Sequence, residues 1–168
     1  MAMQHTPLLM SNILDRGATV APNEEIVTLT ETGVRRQSYR ETRDRAHQLA
    51  HALAGIGIKV GDRVGTFMWN GSRHLEAYHA VAGMGAVLHT LNVRLSPKDL
   101  EYIINHAEDQ IIIVDADVLP LLEVLNGKIP TVRKIIVATE DGFEGWSTGL
   151  PDPVDYEAFI NGQPTHYG

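Results

Sequence analysis

Two pairs of side chains in this sequence have a spacing that suits metal-dependent chemistry. His47 and His51 are four residues apart, which places two imidazoles on one helix face, as in proteases with an H-E-x-x-H zinc motif. Gln48 stands where those proteases have a glutamate as general base, so solvated helix histidines are the favoured interpretation. Asp115 and Asp117 follow an apolar run and are candidate metal ligands. For these two aspartates we favour helix capping.

Two loops are candidates for the rim of a ligand cleft. Trp69 and Asn70 end one predicted strand, and the loop from Asn92 to Leu95 follows the next strand, near His89. Ligands of α/β proteins bind beyond the carboxyl ends of parallel strands. Turn-forming asparagines and a hydrogen-bonded histidine explain the same residues without any ligand. Both interpretations are open at this point.

Other catalytic motifs are absent or lack the structural context that they need. Gly55, Gly57 and Gly61 form G-x-G-x-x-x-G, which is one residue longer than the dinucleotide fingerprint and follows a predicted helix instead of a strand. No G-x-x-x-x-G-K-[ST] phosphate loop is present. Residues 145–149 match G-x-S-x-G in letters, but they lie in a predicted loop, whereas the serine elbow of hydrolases needs a strand before the serine and a helix after it. His74 and His79 are five residues apart and would not meet on a helix. We therefore assign no catalytic, cofactor-binding or metal-binding residue.

The composition is that of an ordinary globular chain. Its 168 residues suffice for one domain with its own core, and the net charge of -7 argues against a nucleic-acid partner. The absence of cysteine excludes disulfides and is consistent with a cytoplasmic location. We expect no secretory signal and no transmembrane segment, since no apolar run approaches about 20 residues. Arg35, Arg36, Arg40, Arg43 and Arg45 alternate with acids, which is typical of a solvated face.

Hydrophobic periodicity predicts an N-terminal hairpin followed by alternating helices and strands. Ser38 and Glu41 have the capping-box spacing at the start of a helix, and Leu75, Tyr78 and Ala82 share one side of a later helix. The predicted strands are 26–30, 34–37, 63–69, 86–90, 111–114 and 134–138. The predicted helices are 6–19, with Pro7 in its first turn, then 38–55, 72–84, 96–107, 119–125 and 155–160.

This alternation predicts an α/β fold with a mainly parallel, doubly wound sheet, flanking helices and a small N-terminal hairpin. We expect residues 1–139 to form the α/β unit. Residues 140–168 are predicted to be a connecting loop up to Pro153, a short helix and an open tail, because glycine, proline and acids are frequent there.

Several short motifs are most informative as an ordered set. They are Ser38-Tyr39 with Glu41, the Gly57–Val64 turn, His74–Tyr78, Gly83–His89, Asn92-Val-Arg94-Leu95 and Leu100–Asp115. In this order they resemble the N-terminal part of the adenylate-forming enzymes, and most closely the bacterial medium- and long-chain fatty acyl-CoA synthetases. The resemblance covers about Leu8 to Ala138.

The resemblance implies a parent ligase that uses ATP and Mg²⁺ to convert a fatty acid to acyl-AMP and then transfers the acyl group to coenzyme A. In that family a Ser/Thr/Gly-rich loop ending in Pro-Lys-Gly, later Tyr and Asp residues and a C-terminal Lys hold the nucleotide. None of them matches a position here, so this fragment is expected to be inactive and to bind no cofactor.

The resemblance also implies a possible homodimer formed through this N-terminal part. Two alternatives to an inert ligase fragment stay open. One is a non-catalytic oligomerisation module, and the other is an unrelated flavodoxin-like domain that binds a ligand through Asp115.

Overall fold

The computed structural model describes residues 9–30, 33–140, 142 and 148–168. They form a five-stranded sheet with helices on both faces and a separate two-stranded hairpin. The elements are α1 (Met10–Val20), β1 (Glu25–Thr30), β2 (Gly33–Ser38), α2 (Tyr39–Gly55), β3 (Arg63–Phe67), α3 (Ser72–Gly83), β4 (Val87–Thr90), α4 (Pro97–Ala107), β5 (Ile111–Asp115), α5 (Leu119–Glu123), β6 (Lys134–Ala138), β7 (Pro153–Asp155) and α6 (Tyr156–Ile160).

The large sheet has the strand order β4-β3-β5-β6-β7, and every neighbouring pair is parallel. The chain first crosses from β3 outward to β4 and then returns past β3 to β5. The direction of winding therefore reverses between β3 and β5, which makes this pair the topological switch point. The predicted mainly parallel, doubly wound α/β fold is confirmed, and so is the antiparallel hairpin of β1 and β2.

Two hydrophobic cores lie on opposite faces of the sheet, and β5 contributes to both. Ile111 and Ile113 pack with α2, α3 and α6, whereas Ile112 and Val114 pack with α4 and α5. All four side chains have an exposed fraction of 0%. The unbroken apolar run therefore reflects a strand that is covered on both faces.

Local helix signals in the sequence are confirmed at two helix starts. The Ser38 hydroxyl accepts from the Glu41 amide at 3.2 Å while the Glu41 carboxylate accepts from the Ser38 amide, so the capping box of α2 is complete. Ser96 caps α4 by accepting from the Asp99 amide, with Pro97 in the first turn. These caps fix where α2 and α4 begin.

The buried side of α3 differs from the prediction. Tyr78 is 40% exposed, whereas Glu76 is fully buried and Arg73 and His74 are more than nine-tenths buried. The apolar pattern indicated the wrong buried side of α3, because this helix buries charged side chains that form hydrogen bonds and ion pairs there. Pro7 and the hairpin turn at Glu31 lie outside the described residues.

The C-terminal region contains a strand that the sequence did not predict. β7 is only three residues long and begins with Pro153, yet it pairs in parallel with β6 and extends the sheet. The predicted helix at 155–160 is confirmed as α6, which Asp155 caps through the Ala158 amide. Tyr156 and Ile160 join the core beside α2 and α3.

Among the described residues, no helix has the length and apolar character needed to span a bilayer.

Candidate functional site

An open cleft of about 530 Å³ lies at the carboxyl ends of β3, β5 and β6, beside the switch point. Three loops form it: Met68–Gly71 after β3, Asp115–Asp117 after β5 and Ala138–Glu140 after β6. Residues 28–30 of the hairpin close one side. The parallel sheet thus concentrates in one cleft several polar residues that are far apart in sequence.

Trp69 connects the two loops at the switch point. Its backbone amide donates to Asp115 Oδ2 and its indole Nε1–H donates to Asp117 Oδ2, both at 2.7 Å. Helix capping by these aspartates was the favoured prediction, and it is wrong. The residue preceding α5 is Val118, and no side chain caps that helix. The two carboxylates instead hold Trp69, Asp115 at the backbone amide and Asp117 at the indole, and the residue stays 47% exposed at the rim of the cleft.

The Asp115 carboxyl has a raised pKa. Burial raises its pKa to about 6, and the negative charge of Asp117 acts in the same direction. The hydrogen bond from the Trp69 amide opposes the shift only partly. This group therefore changes charge about two pH units above an ordinary aspartate.

His74 supports the same corner from beneath. Its Nδ1 lies 3.1 Å from the Trp69 carbonyl oxygen, which can only accept, and its Nε2 lies 3.0 Å from the Thr66 hydroxyl. The ring is therefore a donor at Nδ1, and burial lowers its pKa. His79 does not join it and instead lies beside Met10 of α1, where burial also lowers its pKa.

The opposite wall of the cleft is an ion-pair network. Glu140 accepts from Arg73 at 2.8 Å and from Arg35 at 3.0 Å. Arg73 also contacts Glu157 of α6 at 3.0 Å. Both cleft arginines are thus engaged by carboxylates, and the network connects β2, α3 and α6.

This network continues into a buried polar cluster that sequence reasoning missed. The fully buried Glu76 carboxylate accepts from Arg45 Nε at 2.8 Å, Gln37 Nε2 at 2.7 Å and the Tyr156 hydroxyl at 2.6 Å. Arg45 binds Glu157 with both terminal nitrogens, at 2.8 and 2.9 Å. The prediction of a solvated face is therefore wrong for Arg45, whose side chain is 20% exposed.

The electrostatics of the cluster follow from burial and charge together. Burial acts to lower the pKa of Arg45, but the hydrogen bonds and charges of Glu157 and Glu76 more than reverse this, so its pKa is raised. Burial and the Glu76 charge raise the pKa of Tyr156 well above its ordinary value. The cluster therefore holds a charged arginine and a neutral tyrosine around Glu76.

The other predicted candidates lie away from the cleft. His89 bonds through Nδ1 to the buried Asp109 carboxylate, at 2.8 Å from Oδ2, so the hydrogen-bonded alternative is confirmed. Asn92 accepts from the Arg94 amide at 3.0 Å and forms a turn, and its loop does not line the cleft. His47 and His51 contact main-chain carbonyls of the C-terminal tail.

The described residues do not fit a nucleotide or its metal ion. No group of three or more His, Asp or Glu side chains among them is placed to hold a metal. A triphosphate in the cleft would face the Asp115 and Asp117 carboxylates, while both arginines there are already paired with Glu140.

Comparison with known proteins identifies the family. Residues 14–160 match the family model described as AMP-binding enzyme. The chain belongs to the AMP-binding enzyme family. It is 46% identical over 145 residues to a long-chain-fatty-acid–CoA ligase of Thermus thermophilus, a match that covers 86% of the chain and 27% of the relative. It is 33% identical over 166 residues to a medium-chain-fatty-acid–CoA ligase of Ectopseudomonas oleovorans, covering 98% of the chain and 30% of the relative.

Solved structures of this family agree with the fold. An anthranilate CoA ligase, AuaEII, crystallised with anthranoyl-AMP, matches with a TM-score of 0.82 and 26% identity over 99% of the chain and 31% of that protein. A coronafacic acid ligase of Pectobacterium brasiliense, 22% identical, matches in fold with a TM-score of 0.80, over 96% of the chain and 31% of that protein. The chain therefore spans less than a third of the length of these relatives.

Proposed function

We propose that this chain is the N-terminal portion of a fatty acid–CoA ligase. Its parent would activate a fatty acid with ATP and Mg²⁺ to acyl-AMP and pyrophosphate, and then transfer the acyl group to the coenzyme A thiol. The observation that carries the proposal is the 46% identity to the Thermus thermophilus long-chain ligase over most of the chain. The parallel sheet would serve as scaffold for the remainder of the enzyme.

The fatty-acid part of the proposal can be tested separately from the ligase part. The chain is also 40% identical over 136 residues to a 3-methylmercaptopropionyl-CoA ligase of Ruegeria pomeroyi, which covers 80% of the chain. Its similarity thus extends to a ligase with a short, sulfur-containing acid in its name. We favour a fatty acid because the relatives that match with 46% identity over 86% of the chain and with 33% identity over 98% of the chain are both named fatty-acid–CoA ligases.

We propose further that these 168 residues alone are inactive. Two arrangements in the structure support this. The cleft has two carboxylates where a triphosphate would need cations, and the described side chains are not grouped for a metal. Adenylation needs both a phosphate cradle and a Mg²⁺ site, which we place in other parts of the parent.

ATP–pyrophosphate exchange tests both statements. The isolated chain and the protein made from the complete reading frame should be assayed with octanoate, palmitate and 3-methylmercaptopropionate. We expect no exchange above background from the isolated chain and acid-dependent exchange, strongest with a fatty acid, from the parent. Exchange by the isolated chain would contradict the proposed inactivity, and a preference for 3-methylmercaptopropionate would contradict the substrate class.

We also propose that the parent is a homodimer that pairs through this N-terminal part. The outer surface of α1 supports this, since Met10, Ile13 and Val20 have exposed fractions of 45%, 59% and 68%. Light scattering should give twice the monomer mass, and I13E should shift the mass toward the monomer. A monomeric wild type at high concentration would exclude the dimer.

We place the protein in the cytoplasm, where the proposed cosubstrates ATP and coenzyme A are available.

The division of the chain at residue 139 stays a prediction. The pairing of β7 with β6 and the burial of Tyr156 favour counting residues 153–160 with the α/β unit. The connecting segment would then be residues 140–152. Proteolysis that cleaves within 140–152 and leaves two fragments associated would support this placement.

A further inference from the structure

The C-terminal tail, residues 161–168, contains no helix or strand, yet side chains of α2 hold it at three successive points. Gln48 Nε2 donates to the Gln163 carbonyl oxygen at 3.1 Å. His47 Nδ1 lies 3.0 Å from the carbonyl oxygen of Thr165, and His51 Nε2 lies 2.7 Å from that of His166. The tail was predicted to be open chain, and these contacts show that it follows the surface of α2.

The three side chains lie on one strip of α2. His47 and His51 are four residues apart and Gln48 and His51 three apart, so all three project from neighbouring positions on the same face. Gln163 and Thr165 contact Gln48 and His47 near the middle of α2, and His166 contacts His51, one turn nearer its C-terminal end. We call residues 47, 48 and 51 the α2 strip.

The three hydrogen bonds from the α2 strip to the tail all go to main-chain carbonyls. A carbonyl oxygen only accepts, so the ring nitrogen facing it must carry the hydrogen. The geometry therefore requires a hydrogen on Nδ1 of His47 and on Nε2 of His51. Because the strip binds main-chain groups, it determines the path of the tail backbone and does not depend on the identity of the tail side chains.

A ring contact completes the attachment. The Tyr167 ring lies 4.8 Å from the His51 ring, edge to face, and packs against the core beside α2 and α3. One end of the tail is thus continuous with α6, which Arg45 binds through Glu157, and the other end is anchored at Tyr167. The intervening segment is held at both ends and along its length.

We propose that the α2 strip is a docking surface for the main chain of residues 163–167, and that His47 and His51 are positioning residues that hold this segment along α2. This interpretation also explains the four-residue histidine spacing, for which metal binding was considered and no third ligand exists among the described residues. Its meaning for catalysis rests on the proposed function.

Backbone ¹⁵N relaxation of the 168-residue chain tests the proposal without any enzymatic assay. In the wild type, the amides of Thr165, His166 and Tyr167 should have order parameters of about 0.8, as in rigid backbone. In H47A/H51A they should fall below about 0.6, while the α2 amides and the thermal midpoint change little. H106A is the matched control, since His106 is an exposed helix histidine on α4 that stacks only on Tyr102.

A rescue variant separates hydrogen-bond donation from mere packing. In H47N/H51Q, the Asn amide nitrogen stands in for Nδ1 and the Gln amide nitrogen for Nε2, so tail order should return to the wild-type value. Order parameters that are already low in the wild type, unchanged in H47A/H51A or not restored in H47N/H51Q would each overturn the proposal.

The imidazole tautomers provide a second measurement if the alanine variant fails to fold. Two-bond ¹H–¹⁵N spectra of the wild type should show the Nδ1–H form for His47 and the Nε2–H form for His51, and the opposite forms would overturn the proposal. Failure of the ligase assignment would appear differently, as a parent without pyrophosphate exchange and with a tail that is still ordered.

Discussion

Removing the charge of Glu76 should destabilise the fold far more than removing a surface carboxylate. Glu76 is fully buried and accepts three hydrogen bonds, of 2.8 Å from Arg45, 2.7 Å from Gln37 and 2.6 Å from Tyr156. E76Q keeps the shape but removes the charge opposite Arg45 and places an NH₂ group where an acceptor was. Arg45 retains Glu157, which offsets part of the loss.

The size of the effect follows from these contacts. Hydrogen bonds to charged groups contribute about 1.5–3 kcal/mol each, and breaking a buried ion pair costs about 3–5 kcal/mol. With the Glu157 contact retained, we expect E76Q to lower the free energy of unfolding by about 2–4 kcal/mol. The matched control is E25Q, because Glu25 pairs with Arg36 at 2.7 Å and both side chains are well exposed. Its effect should be about 0.5 kcal/mol or less.

Urea unfolding of the wild type, E76Q and E25Q, followed by circular dichroism, measures both values. E76Q should shift the midpoint strongly without a change in slope, whereas E25Q should nearly superimpose on the wild type. Equal, small effects of the two substitutions would refute the reasoning, since the buried cluster would then contribute no more than a surface ion pair.

Three further substitutions test individual parts of the structure. D115N should flatten the pH dependence of stability. Burial raises the pKa of Asp115 in the folded state to about 6, so between about pH 4 and 6 the folded state binds a proton that the unfolded state has lost. The wild type therefore loses stability, by at most about 3 kcal/mol, as pH rises through that window. Thermal midpoints of both proteins from pH 4 to 8 measure this, and parallel curves would argue against it. G65A should lower the free energy of unfolding by about 1–3 kcal/mol, because an added Cβ would lie 3.3 Å from Asp109 Oδ2 and 3.2 Å from the Ile112 side chain. Unchanged urea unfolding would show that these neighbours move aside at no measurable cost. S38A should cost about 1 kcal/mol by removing the α2 cap, measured in the same way, and a neutral result would show that the cap contributes nothing.

The sequence was sufficient for the fold wherever local signals and burial agree. The capping residues before α2 and α4 and the apolar run of β5 are local patterns, and each predicts its element closely. The alternation of helices with strands was enough to predict parallel pairing, because crossover connections allow little else. The switch-point cleft then follows from topology. Trp69 and Asn70 line it, as the cleft-rim hypothesis proposed, whereas the loop from Asn92 to Leu95 does not.

The remaining features depend on contacts between residues that are distant in sequence. Arg45 and Glu76 are 31 residues apart, and nothing near either one indicates that they meet. Because Glu76 is charged, the apolar pattern of α3 pointed to the opposite side of the helix. β7 was not predicted, because a segment of three residues that begins with Pro153 is too short to show the alternating pattern of a strand. The bonding of Asp115 and Asp117 to Trp69 likewise depends on two loops that only the folded sheet brings together.

The central claim is that this chain is part of an AMP-forming fatty acid–CoA ligase. Fatty-acid-dependent ATP–pyrophosphate exchange by the protein from the complete reading frame tests it most directly. We predict exchange that requires ATP, Mg²⁺ and a fatty acid, and that is absent when the 168 residues are assayed alone. A complete parent that gives no exchange with any carboxylic acid supplied would contradict the claim.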